Sequence, residues 1–168
     1  MKPVRRVVTG HRDGKAVALF DSAAPNQKLR QASGLVSTLL WVTDESPADI
    51  SDTADRAARE IGVPPPPEGT ILRVVDFPPE SGARSREAVL KEMGVADHGG
   101  ARHAAMHRTR SVDYAIVIEG TIDMLLDDSE VHLEAGDVLV QQGTNHAWVN
   151  RGQLSCRIAF VLIDAAGT

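Results

Sequence analysis

The chain has 168 residues, 42% of them hydrophobic and 24% charged, with a formal net charge of −5 and a single cysteine. That length can bury a sizeable core in one domain, and the acidic balance argues against a nucleic-acid surface, which needs clustered Lys and Arg. No run approaches the ~18 apolar residues of a membrane span, and Cys156 alone cannot form an internal disulfide, which fits a reducing, cytoplasmic setting.

The first residues carry charges but no apolar core or small-residue cleavage site, so no signal peptide is expected. Residues 4–9 and 16–21 alternate in character and flank Gly10-His11-Arg12-Asp13-Gly14, which predicts a hairpin with His11 solvated in its turn. Residues 22–34, rich in Ser, Ala, Asn, Gln and Gly, read as a loop, and 35–43 as a β-branched, aromatic strand. Asp52-Thr53 can cap a short helix over 54–61 that Gly62 would end. Pro64 to Pro67 offers no free amides and reads as a stiff extended connector. The segment before it is too poor in core to stand alone, so a single domain over 1–168 is expected, with 1–69 as an N-terminal extension.

Residues 70–77 form a clear strand stopped by Pro78-Pro79, and 85–93 have helical spacing with Gly94 as a stop. Residues 95–105, with His98 and His103, lead as a loop into 106–150, the stretch that carries the chemistry. From there short strands recur at 111–118, 121–126, 130–133, 137–142, 145–150 and 154–163, separated by turns such as Glu119-Gly120 and Gly143-Thr144. That rhythm predicts an antiparallel sandwich or barrel. Cys156, in an apolar alternating segment, reads as a small core hydrophobe.

Side chains of one parity share a strand face. His107, Thr109 and Asp113 are odd-numbered and continue as Ala115 and Val117; Val112, Tyr114, Ile116 and Ile118 take the other face. A strand apolar on both sides needs a cover on its outer surface, either the N-terminal strands or a second subunit, so a homodimer is expected. His146, Trp148 and Asn150 share a face of a later strand, and Gln141 has the parity of the site in a flanking one. His132 falls at a strand edge and reads as structural.

These residues resemble the two sequence motifs of the cupin superfamily. Counting back from Gly120, the first motif's carboxylate falls on Asp113, its second histidine on Thr109 and its first on His107. Gly143, His146 and Asn150 match the second motif, in which Gln141 takes the proline position and Gly136 sits one residue too close. The resemblance implies an all-β fold: an antiparallel double-stranded β-helix, or jelly-roll, barrel core over 70–165, with the N-terminal β extension and one or two short helices. It implies a divalent metal held by His107, Asp113 and His146, with Thr109 beside them; parity adds Gln141 and Trp148 as pocket candidates, and His103 joins them if its loop folds back. Such a donor set suits Fe, Mn, Ni or Zn. Asp113 is equally placed to act as a base or to support a ligand.

The activity implied is a metal-assisted step on a small organic molecule, of the lyase, dehydratase, isomerase or decarboxylase type. An Fe(II)-dependent dioxygenase and a non-catalytic ligand-binding cupin are the alternatives. No nucleic-acid or membrane partner is expected.

Overall fold

The computed structural model describes residues 1–82, 84–97, 99 and 102–167, so His98 lies outside the described residues. Strands β1 (Arg5–Arg12) and β2 (Lys15–Ala23) form the expected hairpin. Its turn is Asp13-Gly14, both at positive φ, 53° and 73°, the conformation whose twist matches that of paired strands. The hairpin is a two-stranded sheet of its own. Buried Arg6 ties it to the rest of the chain, donating to both carboxylate oxygens of Asp55 (2.7 and 2.6 Å) and to Leu40 O (3.3 Å).

The loop expected over 22–34 contains a short strand, β3 (Gln27–Leu29), which pairs with β4 (Val36–Thr43). β4 in turn pairs along β5 (Thr70–Phe77), with a register shift between Leu39 and Trp41. Strands of the N-terminal segment therefore widen the barrel sheet, while the hairpin alone packs outside it.

The helix expected over 54–61 does not form; the segment is a chain of turns. Asp52 and Asp55 side chains accept from Ala54 N and Ala57 N, at 2.8 and 2.9 Å. The Asn26 amide donates to Ala57 O and Arg59 O, both at 2.7 Å. Side chains thus satisfy the groups that a helix would have paired with each other, and the turns win. One helix exists among the described residues, α1 (Arg86–Met93), capped by Ser85 Oγ and closed by Gly94 at φ 72°.

After α1 come β6 (Ser111–Glu119), β7 (Thr121–Leu125), β8 (Glu130–Glu134), β9 (Val138–Gln142), β10 (Ala147–Val149) and β11 (Cys156–Asp164). They complete a six-stranded sheet in the order β3-β4-β5-β11-β6-β9 and a three-stranded sheet in the order β10-β7-β8, antiparallel throughout. Gly120 (φ 82°) carries the chain from the larger sheet to the smaller. A Cβ there would sit 3.0 Å from Cys156 Cα and Ser155 O, so glycine is required for space as well as for φ.

The main core lies between the sheets, built from inward residues such as Ile71, Val75, Val117, Ile122, Ile158 and Leu162. Cys156 is fully buried there, and burial pushes its thiol up to about 11, which makes it inert packing as the alternation predicts. A second cluster packs α1, through Val89, against Ala105, Met106, Leu125, Ala147 and Val149. The outer face of β6 and β9 is left bare: Tyr114, Ile116, Ile118, Val138 and Val140 are 40–63% exposed. Among the described residues no helix is long and apolar enough to cross a membrane.

Candidate active site

Parity holds across the key strand. Ser111, Asp113, Ala115 and Val117 of β6 are buried, while Tyr114, Ile116 and Ile118 face out. His107 precedes β6 and His146 precedes β10. They meet as an antiparallel bridge, exchanging two backbone hydrogen bonds of 2.9 and 2.8 Å. Residues that exchange both bonds stand directly opposite, so their side chains share a face. The two imidazole rings lie with centroids 4.5 Å apart, and both residues are buried.

The segment entering His107 is held from α1. Arg86 donates to Met106 O (2.9 Å) and, at 3.4 Å, to His103 O and Ala104 O, while pairing with Asp97. His107 Nδ1 donates to Ala105 O at 2.9 Å, which leaves Nε2 as a bare lone pair. His146 Nδ1 lies 3.0 Å from Thr144 O and 3.0 Å from the Gln141 amide nitrogen. Donation to Thr144 O bares Nε2 here too; acceptance from Gln141 would instead put the proton on Nε2. Burial lowers the pKa of both rings, that of His146 to about 3, so both are neutral near pH 7.

Asp113 lines the same cavity, its Oδ1 accepting from Ser111 Oγ at 2.6 Å, with Thr109 Oγ1 2.8 Å behind Ser111. Burial pushes its carboxyl up to about 6, against the opposing pull of the Ser111 hydrogen bond and the Arg73 charge. The cavity has about 660 Å³ of empty space, its open mouth included. Val75, Phe77, Trp148, Phe160 and Leu162 make most of its wall apolar. Trp148 stands edge-on to His146, with ring centroids 6.1 Å apart.

The other expected pocket residues lie elsewhere. Gln141 sits behind His146, its amide donating to Thr144 O (3.0 Å). Thr109 is one hydroxyl removed from the cavity wall. His103 turns away to Glu80 (2.7 Å), because the tether from Arg86 draws its segment toward α1. His132 is 65% exposed by side chain and binds Asp123, the structural role its strand-edge position predicts. Asn150 closes the turn into β11, bonding Phe77 O, Leu154 O and Gly152 N.

The expected three-ligand metal set does not close. Among the described residues no three of His, Cys, Asp and Glu come together as a metal group. The Asp113 carboxyl accepts from Ser111 on its own strand through Oδ1. The donor chemistry nevertheless fits a divalent cation: His107, with Nδ1 held by a carbonyl oxygen, presents Nε2 as a ligand does, and His146 does so in the tautomer that donates to Thr144 O.

One residue of the site is absent from the motif reading. Arg73, buried on β5, lines the cavity and donates through Nη2 to Gly62 O at 2.6 Å. Its Nε is buried with no hydrogen-bond partner. A charged residue of inward, odd parity between the apolar inward residues Ile71 and Val75 was the signal for it, the same signal that singles out Asp113.

Comparison with known proteins fits this architecture. The family description "Cupin domain" matches residues 95–163. "Phomopsin biosynthesis cluster protein C'" of Diaporthe leptostromiformis is 32% identical, over 98% of this chain and 80% of its own length. The chain belongs to the cupin family. "Cupin-domain-containing oxidoreductase srdD" of Neurospora crassa is 29% identical over 98% of this chain and 76% of its own length. A solved cupin 2 conserved barrel protein from Salinispora arenicola aligns at TM-score 0.46 and 15% identity, covering 83% of this chain and 82% of its own. Cupin barrels commonly hold a metal.

Proposed function

We propose that this cupin is an enzyme acting on a small organic molecule inside the barrel, with His107 and His146 holding a divalent metal and Asp113 moving a proton. The observation that carries the reading is the meeting of two neutral imidazoles and a buried carboxyl poised near 6 on one apolar-walled cavity. A divalent cation at the imidazole pair would polarise a carbonyl or hydroxyl oxygen as a Lewis acid.

The chain's own residues supply the rest. Phe77, Trp148 and Phe160 exclude water and orient an apolar body. Asp113, with a pKa close to working pH, takes a proton from the bound molecule or returns one at its carboxyl oxygen. Ser111 fixes that oxygen, and Thr109 fixes Ser111. Proton transfer of this kind serves isomerisation, dehydration and decarboxylation alike. A redox reaction is the second reading, favoured by the name "cupin-domain-containing oxidoreductase" given to relatives from Neurospora crassa and Aspergillus ruber.

The test is metal analysis of protein purified without added metal. The wild type is expected to retain metal through dialysis, and His107→Ala and His146→Ala to lose it while staying folded. Wild-type content below about a tenth of an equivalent, or unchanged content in both variants, sinks the metal assignment. Oxygen uptake by Fe(II)-loaded protein with a candidate substrate decides for the redox reading.

A further inference from the structure

One wall of the cavity carries a buried cation, Arg73. Arg73 is only 5% exposed, and among the described residues no carboxylate lies within ion-pair distance of it. Asp113 acts on it through its field, but the Asp113 carboxyl is held by Ser111 instead. Nη2 is taken by Gly62 O, and Nε has no acceptor. Arg30, whose Nη1 donates to Glu92 O, lines the same cavity and adds a second positive charge near the first.

An unpaired buried guanidinium is costly, because desolvation is not offset by a partner. Its planar donor fork suits a carboxylate. The walls beyond it, Val75, Phe77, Trp148, Phe160 and Leu162, are apolar and offer few further hydrogen bonds. With two arginines set against the Glu92 carboxylate and an apolar wall, the site matches a singly charged head on a hydrophobic body; a phosphate dianion would want more donors. Glu92 also lines the cavity, with Ser33 Oγ 3.4 Å from its carboxylate.

We infer that the substrate of this cupin is an apolar or aromatic carboxylic acid, whose carboxylate pairs with Arg73, assisted by Arg30, while its body lies against Phe77, Trp148 and Phe160. Burial and the Arg30 charge, which lower the Arg73 pKa to about 10, are the penalties that such an anion would relieve. The inference rests on the cavity being the substrate site, as proposed above, and does not need the metal.

The test is calorimetric titration of the full chain, treated with chelator, using three probes of one shape: phenylacetate, its neutral amide phenylacetamide, and phenyl phosphate. Phenylacetate is expected to bind at least about tenfold more tightly than phenylacetamide, the difference that a charge-assisted hydrogen bond supplies. Arg73→Met is expected to remove that advantage and leave the amide unchanged. Equal affinity for acid and amide, no binding of phenylacetate to the wild type, or undiminished binding to Arg73→Met overturns the assignment. Tighter binding of phenyl phosphate overturns the carboxylate. Should Arg73→Met fail to fold, the arginine Nε–H resonances of the wild type decide: one must shift on addition of phenylacetate, and none shifting sinks the proposal. Because the titrations use chelated protein, an unchanged metal content in the histidine variants would end the metal reading and leave these results standing.

Discussion

At the scale of single residues the site is a set of groups displaced from their ordinary ionisation by burial. Asp113 has its folded-state pKa raised, so its contribution to stability is fully present below the unfolded value near 3.8 and is lost as pH rises through about 6. His107 and His146 run the other way. Their pKa values are depressed, so their contribution is present above 6.5 and is lost as pH falls. Asp113→Asn keeps the shape and the Ser111 hydrogen bond, and isolates the carboxyl. In chelated protein its stability relative to wild type is expected to rise by roughly 2–3 kcal/mol between pH 4 and pH 7, read from denaturant unfolding at each pH. A pH-independent difference would mean that Asp113 is not a buried, destabilised anion. His107, Asp113 and His146 were legible in the sequence because polar residues on the inward parity of apolar strands stand out. Arg73 and Ser111 carry the same mark, yet neither belongs to the motif. The hydrogen bond that fixes the Asp113 carboxyl comes from a residue two places along its own strand, and no spacing rule contains it.

At the scale of elements, strands were the most readable feature, since alternation is imposed by the pleat itself. The failure at 54–61 was of another kind. Asp52 and Asp55 are good helix-start residues by local chemistry, but Asp55 is drawn to Arg6 and Asn26 takes the carbonyl groups of Ala57 and Arg59, partners 49, 31 and 33 positions away in sequence. The same clamp holds the N-terminal hairpin. Asp55→Ala leaves the Arg6 guanidinium buried without its carboxylate and is expected to cost about 3 kcal/mol, whereas Arg6→Met combined with Asp55→Leu should cost much less. Equal losses in chemical denaturation would show that the pair is not what fixes the hairpin. The shift between Leu39 and Trp41 in β4 has a related logic. It exchanges the parity of the strand midway, so Leu39 and Val42 are both buried although one is odd and the other even.

At the scale of the molecule the hairpin leaves the outer surface of β6 and β9 uncovered. β9 ends the six-stranded sheet, and its sequence, Val138-Leu139-Val140-Gln141-Gln142, has no charge to protect the edge. We propose that a second copy of the chain covers it, since one self-complementary apolar patch suffices for a two-fold pair. Light scattering is expected to give the mass of a dimer for the wild type and of a monomer for Ile116→Lys combined with Val140→Lys; a monomeric wild type removes the proposal.

The bridge between His107 and His146 has a mechanical consequence. It joins the segment leading into one sheet to the segment leading into the other, at the point where the two rings meet. Separating the sheets there would break both backbone bonds at once. The amide protons of those two histidines therefore report on the barrel's opening: exchange should be slow and matched between them, and should stay so while substrate comes and goes.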